Sequence, residues 1–287
     1  MADSKELVLT EGIVGFFDIL GYTSFLENNS AEDAATEVLQ TLNSIDKEVA
    51  SDLKELLKLP IVATAIEDIE WLVFSDTILI TYNYKNDDHN IAKLIQWAVF
   101  MLISATFSRS MFEYGLPVRG AVGFGEFTIQ KNCFAGRPII KAYQRANSLE
   151  LSASVLCKSA EEELSRLNET LEAEKHNKHE KGLIESVNEL ISSYEVEYLV
   201  PLKDNSSEKL FALNIFATQH TVPTGDIRQY VLESFWKHKK DVPQSAQAKV
   251  ENTEQFLRFL KSKTRGKKGP KTKIAKTKSA KLVSQLE

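Results

Sequence analysis

Two aspartates in this chain stand where an apolar segment gives out, and carboxylates so placed can hold hard cations. Asp18 closes the run Ile13-Val14-Gly15-Phe16-Phe17 and is followed by Ile19-Leu20-Gly21-Tyr22-Thr23. Asp76 lies in Phe74-Ser75-Asp76-Thr77-Ile78, the interruption of a stretch from Trp71 to Tyr82 rich in β-branched and aromatic residues. Taken singly, each also reads as a turn aspartate whose side chain satisfies backbone N–H groups. If the strand ending at Asp18 lies beside the Trp71–Tyr82 hairpin, both carboxylates reach one edge of one sheet. Two divalent ions shared there suit phosphoryl chemistry: one activates an attacking oxygen, and the other neutralises the phosphates and the leaving group.

The elements that must place these carboxylates follow from periodicity and turn signals. Ile13 to Asp18 reads as a buried strand running into a turn at Gly21. Ser30 is a helix N-cap with Asp33 three residues on, and Leu39, Leu42, Ile45, Val49 and Leu53 carry helical spacing to about Leu57. Trp71 to Tyr82 predicts two strands meeting at Ser75-Asp76. A long apolar helix is expected over Ile91–Phe112 and a strand over Pro117–Ile129, punctuated by Gly120, Gly123 and Gly125. A helix starts near Pro138, where proline suits the first turn. Leu151–Leu156 is strand-like. Residues 158–193 are charged, helical and read as an elaboration outside the core. Tyr194–Pro201 and Lys209–Phe216 form a late strand pair, and helices near 226–238 and 245–262 follow. The core order β-α-β-β-α-β predicts an α+β, ferredoxin-like fold: an antiparallel sheet with helices on one face. Residues 1–216 are expected to make one catalytic unit, 217–262 a helical extension and 263–287 a basic tail.

Composition narrows the function classes. The chain has 287 residues, 43% hydrophobic and 26% charged, as in ordinary globular proteins. No unbroken run of about 18 apolar residues is present, so no membrane span is expected. The start, Met-Ala-Asp-Ser-Lys-Glu, lacks a secretory pattern. Only Cys133 and Cys157 occur, which excludes a disulfide framework or a Cys-rich zinc site and fits a reducing cytoplasm. The five histidines have no metal-ligand spacing, and His176 and His179 sit among alternating charges. The net charge of −5 hides an asymmetry. Lys261 to Lys281 carries ten Lys or Arg and no acid, while residues 1–260 hold 25 basic and 39 acidic side chains. That tail reads as a disordered, solubilising segment, or one weakly attracted to nucleic acid or anionic membrane.

Phe16-Phe17-Asp18-Ile19-Leu20-Gly21-Tyr22-Thr23 resembles the Phe-x-Asp-Ile/Met/Leu-x-Gly-Phe/Tyr-Thr/Ser opening of class III nucleotidyl cyclases. Phe74-Ser75-Asp76-Thr77-Ile78 resembles their Gly-Asp hairpin, with Ser75 in place of glycine. Arg119 to Gly125 keeps the spacing of their Arg-x-Gly-Ile-x-x-Gly strand, although Ala121 occupies the first glycine position. The likeness runs from about residue 13 to 157. It implies that Asp18 and Asp76 bind two Mg²⁺ or Mn²⁺ ions, with the Ile19 carbonyl as a further ligand. It implies that Phe17, Gly21, Tyr22 and Thr23 line the triphosphate, and that the enzyme works as a homodimer with composite sites.

Where such enzymes read a purine, this chain departs. The base-reading positions hold Leu72 and Cys133, and a leucine cannot hydrogen-bond a purine edge. The transition-state Asn and Arg fall at Ile140 and Gln144, leaving Arg145, Lys141 or Arg137 as replacements, with Arg145 the one nominated as catalytic. Lys203, in Val200-Pro201-Leu202-Lys203, falls near the family's triphosphate-binding lysine, and reads equally as an exposed strand-end residue. With Arg119-Gly120-Ala121 and Ala142-Tyr143, these features are similar to the pyrimidine cyclases of bacterial Pycsar antiphage systems. That branch implies cyclic UMP or cyclic CMP made from UTP or CTP to activate a cell-killing effector. The alternatives are a purine cyclase with atypical contacts and a catalytically inactive cyclase-homology module. Gly123-Phe124-Gly125-Glu126-Phe127 superficially resembles a diguanylate cyclase turn but lacks its paired glycine and acid, and no P-loop or dinucleotide fingerprint is present.

Overall fold

Along Ile13–Phe17 the residues are apolar without alternation, the pattern of a strand covered on both faces. The computed structural model describes residues 9–33, 66–85, 87–130, 133–217 and 221–266, together with residues 36, 39–45, 47 and 49. It places that run in β1 (Thr10–Ile19), at the centre of an eight-stranded sheet. β2 (Ile69–Phe74) and β3 (Thr77–Asn83) form the expected hairpin, and β4 (Val118–Gln130) lies on the other side of β1. The order β2-β3-β1-β4, antiparallel throughout, is the ferredoxin-like arrangement. The sheet then continues through β6 (Ser154–Leu156), parallel to β4, to β8 (Ser207–Leu213) and β7 (Glu195–Pro201), while β5 (Cys133–Gly136) folds back on β4.

Helices cover both faces, not one. On the first face, Ile13, Phe17 and Ile19 join a core with α2 (Asn90–Glu113), α4 (Lys158–Ala173) and α5 (Lys178–Tyr194). On the second, Val14, Phe16 and Leu20 meet α3 (Arg137–Ser148), α6 (Ile227–Trp236) and α7 (Gln247–Gly266). The period-two alternation of strand side chains assigns neighbours in β1 to opposite cores, so the continuous apolar run needs both layers. Each large side chain buried in this way contributes roughly 1.5–3 kcal/mol.

α2 holds no unbroken run of about 18 apolar residues, yet it is long and apolar enough on average to cross a membrane by length and composition; most of it is buried within the protein. Its flanks are covered because α4 and α5 are core elements. Leu164, Leu167, Leu171, Val187 and Ile191 join the first core, so the charge pattern of 158–193 marks their outer faces, with Glu163 the buried exception that accepts from Tyr84. A capping box at Asn177, reciprocated by Glu180, starts α5 cleanly. Ser30 caps a helix start as expected, its Oγ accepting from the Asp33 N–H at 3.1 Å. Parts of the helix expected to run on to Leu57, and the tail beyond Gly266, lie outside the described residues.

Candidate active site

The register of the sheet brings the two aspartates together. Asp18 stands opposite Thr77 on β3 and Arg119 on β4, and the Ile19 N–H donates to the Asp76 carbonyl at 2.9 Å. Asp76 therefore occupies the β2–β3 turn directly beside the end of β1. Ser75, in that same turn, has φ 56°. This left-handed backbone is what glycine adopts freely and serine adopts at a cost of about 1–2 kcal/mol. Burial pushes the Asp18 carboxyl above the usual carboxylate range; Arg119 pulls it back down, the Asp76 charge adds to the rise, and Lys203 opposes it. A carboxylate whose ionisation a neighbouring carboxylate makes costlier marks an anionic pocket that a cation relieves.

Two cations already face that pocket. Arg119 places Nε at 2.8 Å and Nη2 at 2.7 Å from Asp18 Oδ2. Both contacts fall on one oxygen and take no part of Oδ1. The same Nη2 donates to Asn147 Oδ1 on the last turn of α3. Lys203 is held through its backbone N–H to the Ser148 carbonyl at 2.9 Å, next along α3. Its amine is lowered by desolvation, then by the charges of Arg119 and Lys249, against the pull of Glu150 and Asp18.

Beside the carboxylates, on the α3 face, lies an open apolar cleft of about 310 Å³. Leu72, Phe74, Thr77, Phe134, Ile140 and Tyr143 line it. Leu72 thus stands where the base was expected, in surroundings that offer few hydrogen-bonding groups.

The other expected site residues are dispersed. The Phe17 ring is fully buried, edge-on to Phe107 at 5.0 Å, and offers no side-chain surface to a nucleotide. It points into the first core because it is one residue out of phase with Asp18. Gly21 caps the seven-residue α1 (Tyr22–Asn28) at φ 77°. The Tyr22 ring stacks on Phe25, and its phenol is raised by burial and by the Asp76 charge, so it is a neighbour of the pair. Thr23 is exposed. Cys133 pairs through its backbone with Gln130, and its side chain lies outside the described residues. Arg145 is clamped by both guanidinium nitrogens to Glu208 on β8, and no contact among the described residues joins it to Asp18 or Asp76. Ile140 is exposed on the rim of the cleft. Asn147 had no sequence signal, and no sequence pattern set the aromatic residues Phe74, Phe134 and Tyr143 around one cleft: that depends on which face of α3 and of the hairpin turns toward Asp18.

Among the described residues no group of three or more His, Cys, Asp or Glu is assembled. The donor set is two carboxylates near backbone carbonyls, hard oxygen chemistry that fits Mg²⁺ or Mn²⁺, ions that retain several waters when held by one or two carboxylates. Asp18 and Asp76 are the residues that would hold them.

No family model matches the chain, and no curated protein matches it in sequence. Solved structures do resemble it in shape. The catalytic core of a rhodopsin-guanylyl cyclase with converted specificity, in complex with ATPαS, aligns at a TM-score of 0.45 and 11% identity. The alignment covers 73% of this chain and 98% of that one. A bacterial light-regulated adenylyl cyclase aligns at 0.43 and 9%, over 90% of this chain and 59% of its own. A class III adenylyl cyclase-like ATP-binding protein from Pseudomonas aeruginosa aligns at 0.34 and 13%, over 56% and 37%. Scores at this level do not assign a function; the residues at the site have to do that.

Proposed function

We propose that the chain is a metal-dependent nucleotidyl cyclase, forming a 3′,5′-cyclic monophosphate and pyrophosphate from a nucleoside triphosphate. The observation that carries this reading is the meeting of Asp18 and Asp76 at one end of adjacent strands, with Arg119 and Lys203 beside them. Divalent ions bound by the two carboxylates would supply an activated 3′-hydroxyl and charge neutralisation at the phosphates. The chain's own cations do the rest. Arg119 and Lys203 repel each other where they stand, and a polyanion between them relieves that cost. A guanidinium with two planar donors suits phosphate oxygens, and an ammonium adds a point charge.

The base is expected to be a pyrimidine, UTP or CTP, and the cyclic product a signal in phage defence. Leu72 supports this, since an aliphatic side chain offers no partner for a purine edge at that position, and Thr77 and Tyr143 are the hydroxyl-bearing residues of the cleft. We also propose a homodimer formed over this face, because Phe74, Ile140 and Tyr143 are 73%, 56% and 51% exposed around the cleft. A second reading, a catalytically silent nucleotide-binding module, is favoured by one observation: Arg119 already caps Asp18 while Arg145 is committed to Glu208.

Incubating the purified protein with ATP, GTP, CTP and UTP in turn, with Mn²⁺, and identifying products by mass spectrometry separates these readings. Cyclic UMP or cyclic CMP, lost on Asp18→Ala and Asp76→Ala, is the expected result. A cyclic purine as main product overturns the base assignment. Bound nucleotide with no cyclic product from any of the four leaves the silent module.

A further inference from the structure

The last turn of α3 meets both cations of the site. Asn147 Oδ1 accepts from Arg119 Nη2, and the next residue's carbonyl, on Ser148, accepts from the Lys203 N–H at 2.9 Å. Arg119 is thus held at two points: its Nε and Nη2 reach Asp18 Oδ2, and Nη2 also reaches Asn147. These two partners differ in what a metal does to them. A divalent ion held by Asp18 would draw off that carboxylate's charge and repel the guanidinium, whereas the neutral Asn147 amide would be unaffected. Without Asn147, nothing in the Arg119 contacts described would keep the guanidinium from swinging to spread its two donors over both Asp18 oxygens, taking Oδ1 as well and competing with the ion for it.

We propose that Asn147 is a positioning residue that pins the Arg119 guanidinium to the Oδ2 side of Asp18, keeping Oδ1 open to a divalent ion. The inference rests on the reading of Asp18 and Asp76 as a metal pair and adds to it a residue from α3, the helix packed on the same face of the sheet. It also accounts for a neutral amide here: a carboxylate would bind Arg119 more tightly, but it would also trap the guanidinium when phosphate arrives.

The test is a double-mutant cycle read by direct binding of Mn²⁺ alone, followed by electron paramagnetic resonance, with folding checked by circular dichroism. Asn147→Ala should weaken Mn²⁺ binding by a factor of about five, within the span measured for coupled neighbours. Arg119→Gln removes the competing cation, so in that background Asn147→Ala should leave Mn²⁺ affinity unchanged. Equal losses in both backgrounds, or none in either, would overturn the proposal. Wild-type protein that binds no Mn²⁺ overturns it together with the metal reading. A cycle that behaves as expected in a protein that cyclises no triphosphate would overturn the proposed function and leave the role of Asn147 standing.

Discussion

The two faces of the sheet are built from the same strands but treated differently by the helices that cover them. On the first face α2, α4 and α5 enclose the centre of the sheet: Phe17 of β1 and Trp97, Phe100 and Phe107 of α2 are all buried. On the second face α3 covers the centre of the sheet, through Ile139, Ala142 and Ala146, and stops short of the β2–β3 end. There the strands give out in Asp18 and Asp76, and aromatic and aliphatic side chains stay open to solvent. One face is spent on stability. The other gives up some burial and gains a place where anions and cations can meet, which is where sites on rigid scaffolds tend to lie.

The sharpest way to test that division is to change one residue on each face. Asp18→Asn on the open face keeps an oxygen for Arg119 and removes the repulsion with Asp76, so the melting temperature should move little. Charge stabilisation by metal is worth several kcal/mol, so cyclising activity should fall by about a thousandfold. Phe107→Ala on the closed face should do the reverse. Phe107 is fully buried, edge-on to both Phe17 and Trp71 at 5.0 and 5.5 Å, and its truncation should cost about 3–5 kcal/mol in chemical denaturation. Activity per folded molecule should remain. If Asp18→Asn unfolds the protein, or Phe107→Ala spares its stability, the two faces are not divided in this way.

What sequence could show follows the same line. Asp18 and Asp76 were legible because each ends or interrupts a local pattern, and the βαββαβ order was legible from periodicity. Ser75 at the glycine position of the hairpin was legible as a substitution, but its left-handed φ of 56° belongs to the turn as folded. The second helical layer was not legible: a run such as Ile13–Phe17 says that a strand is covered on both faces, not by which helices. The Asp18–Arg119–Asn147 chain joins residues 101 and 28 positions apart, on two strands and a helix. No local pattern encodes such a meeting. The same holds for the segment after α6. There Asn29 Nδ2 donates to the His238 carbonyl at 2.7 Å, and the Asp241 N–H donates to Ser24 Oγ at 2.9 Å, tying α1 to a part of the chain two hundred residues away.

A titration should resolve two charges of opposite sign, one half-buried and one buried. Asp18 has its carboxyl raised by burial and by Asp76, against Arg119 and Lys203. Its contribution to stability is therefore full below the ordinary aspartate range and is lost as pH rises through its folded value. Lys240, buried near α1 with its Nζ donating to the Gly115 and Ser234 carbonyls, is pushed down to about 7, first by burial and then by Lys237. A depressed lysine acts the other way: its contribution is full above the ordinary value of 10.5 and is lost as pH falls through about 7. Stability should climb with pH over that window in the wild type, and Lys240→Met should flatten the climb in melting curves taken between pH 7 and 10. Asp18→Asn should leave the alkaline slope intact and alter only the acid side.

The smallest effect is expected where the open face has least to lose. Phe74 is 73% exposed on the rim of the cleft, so Phe74→Ser gives up little burial within the chain and should change unfolding free energy by no more than about 0.5 kcal/mol. Its exposure is nevertheless costly in water unless another surface covers it, and Ile140 and Tyr143 extend the same apolar patch. If a second copy covers that patch, as proposed, Phe74→Ser should weaken self-association in sedimentation equilibrium while leaving the denaturation midpoint of the dilute protein in place. Loss of stability comparable to that of Phe107→Ala would show that Phe74 is held inside the chain after all. Unchanged association would remove this face from the dimer. The contrast between the faces would then rest on the carboxylate pair alone, because the apolar rim would serve the ligand and not a partner.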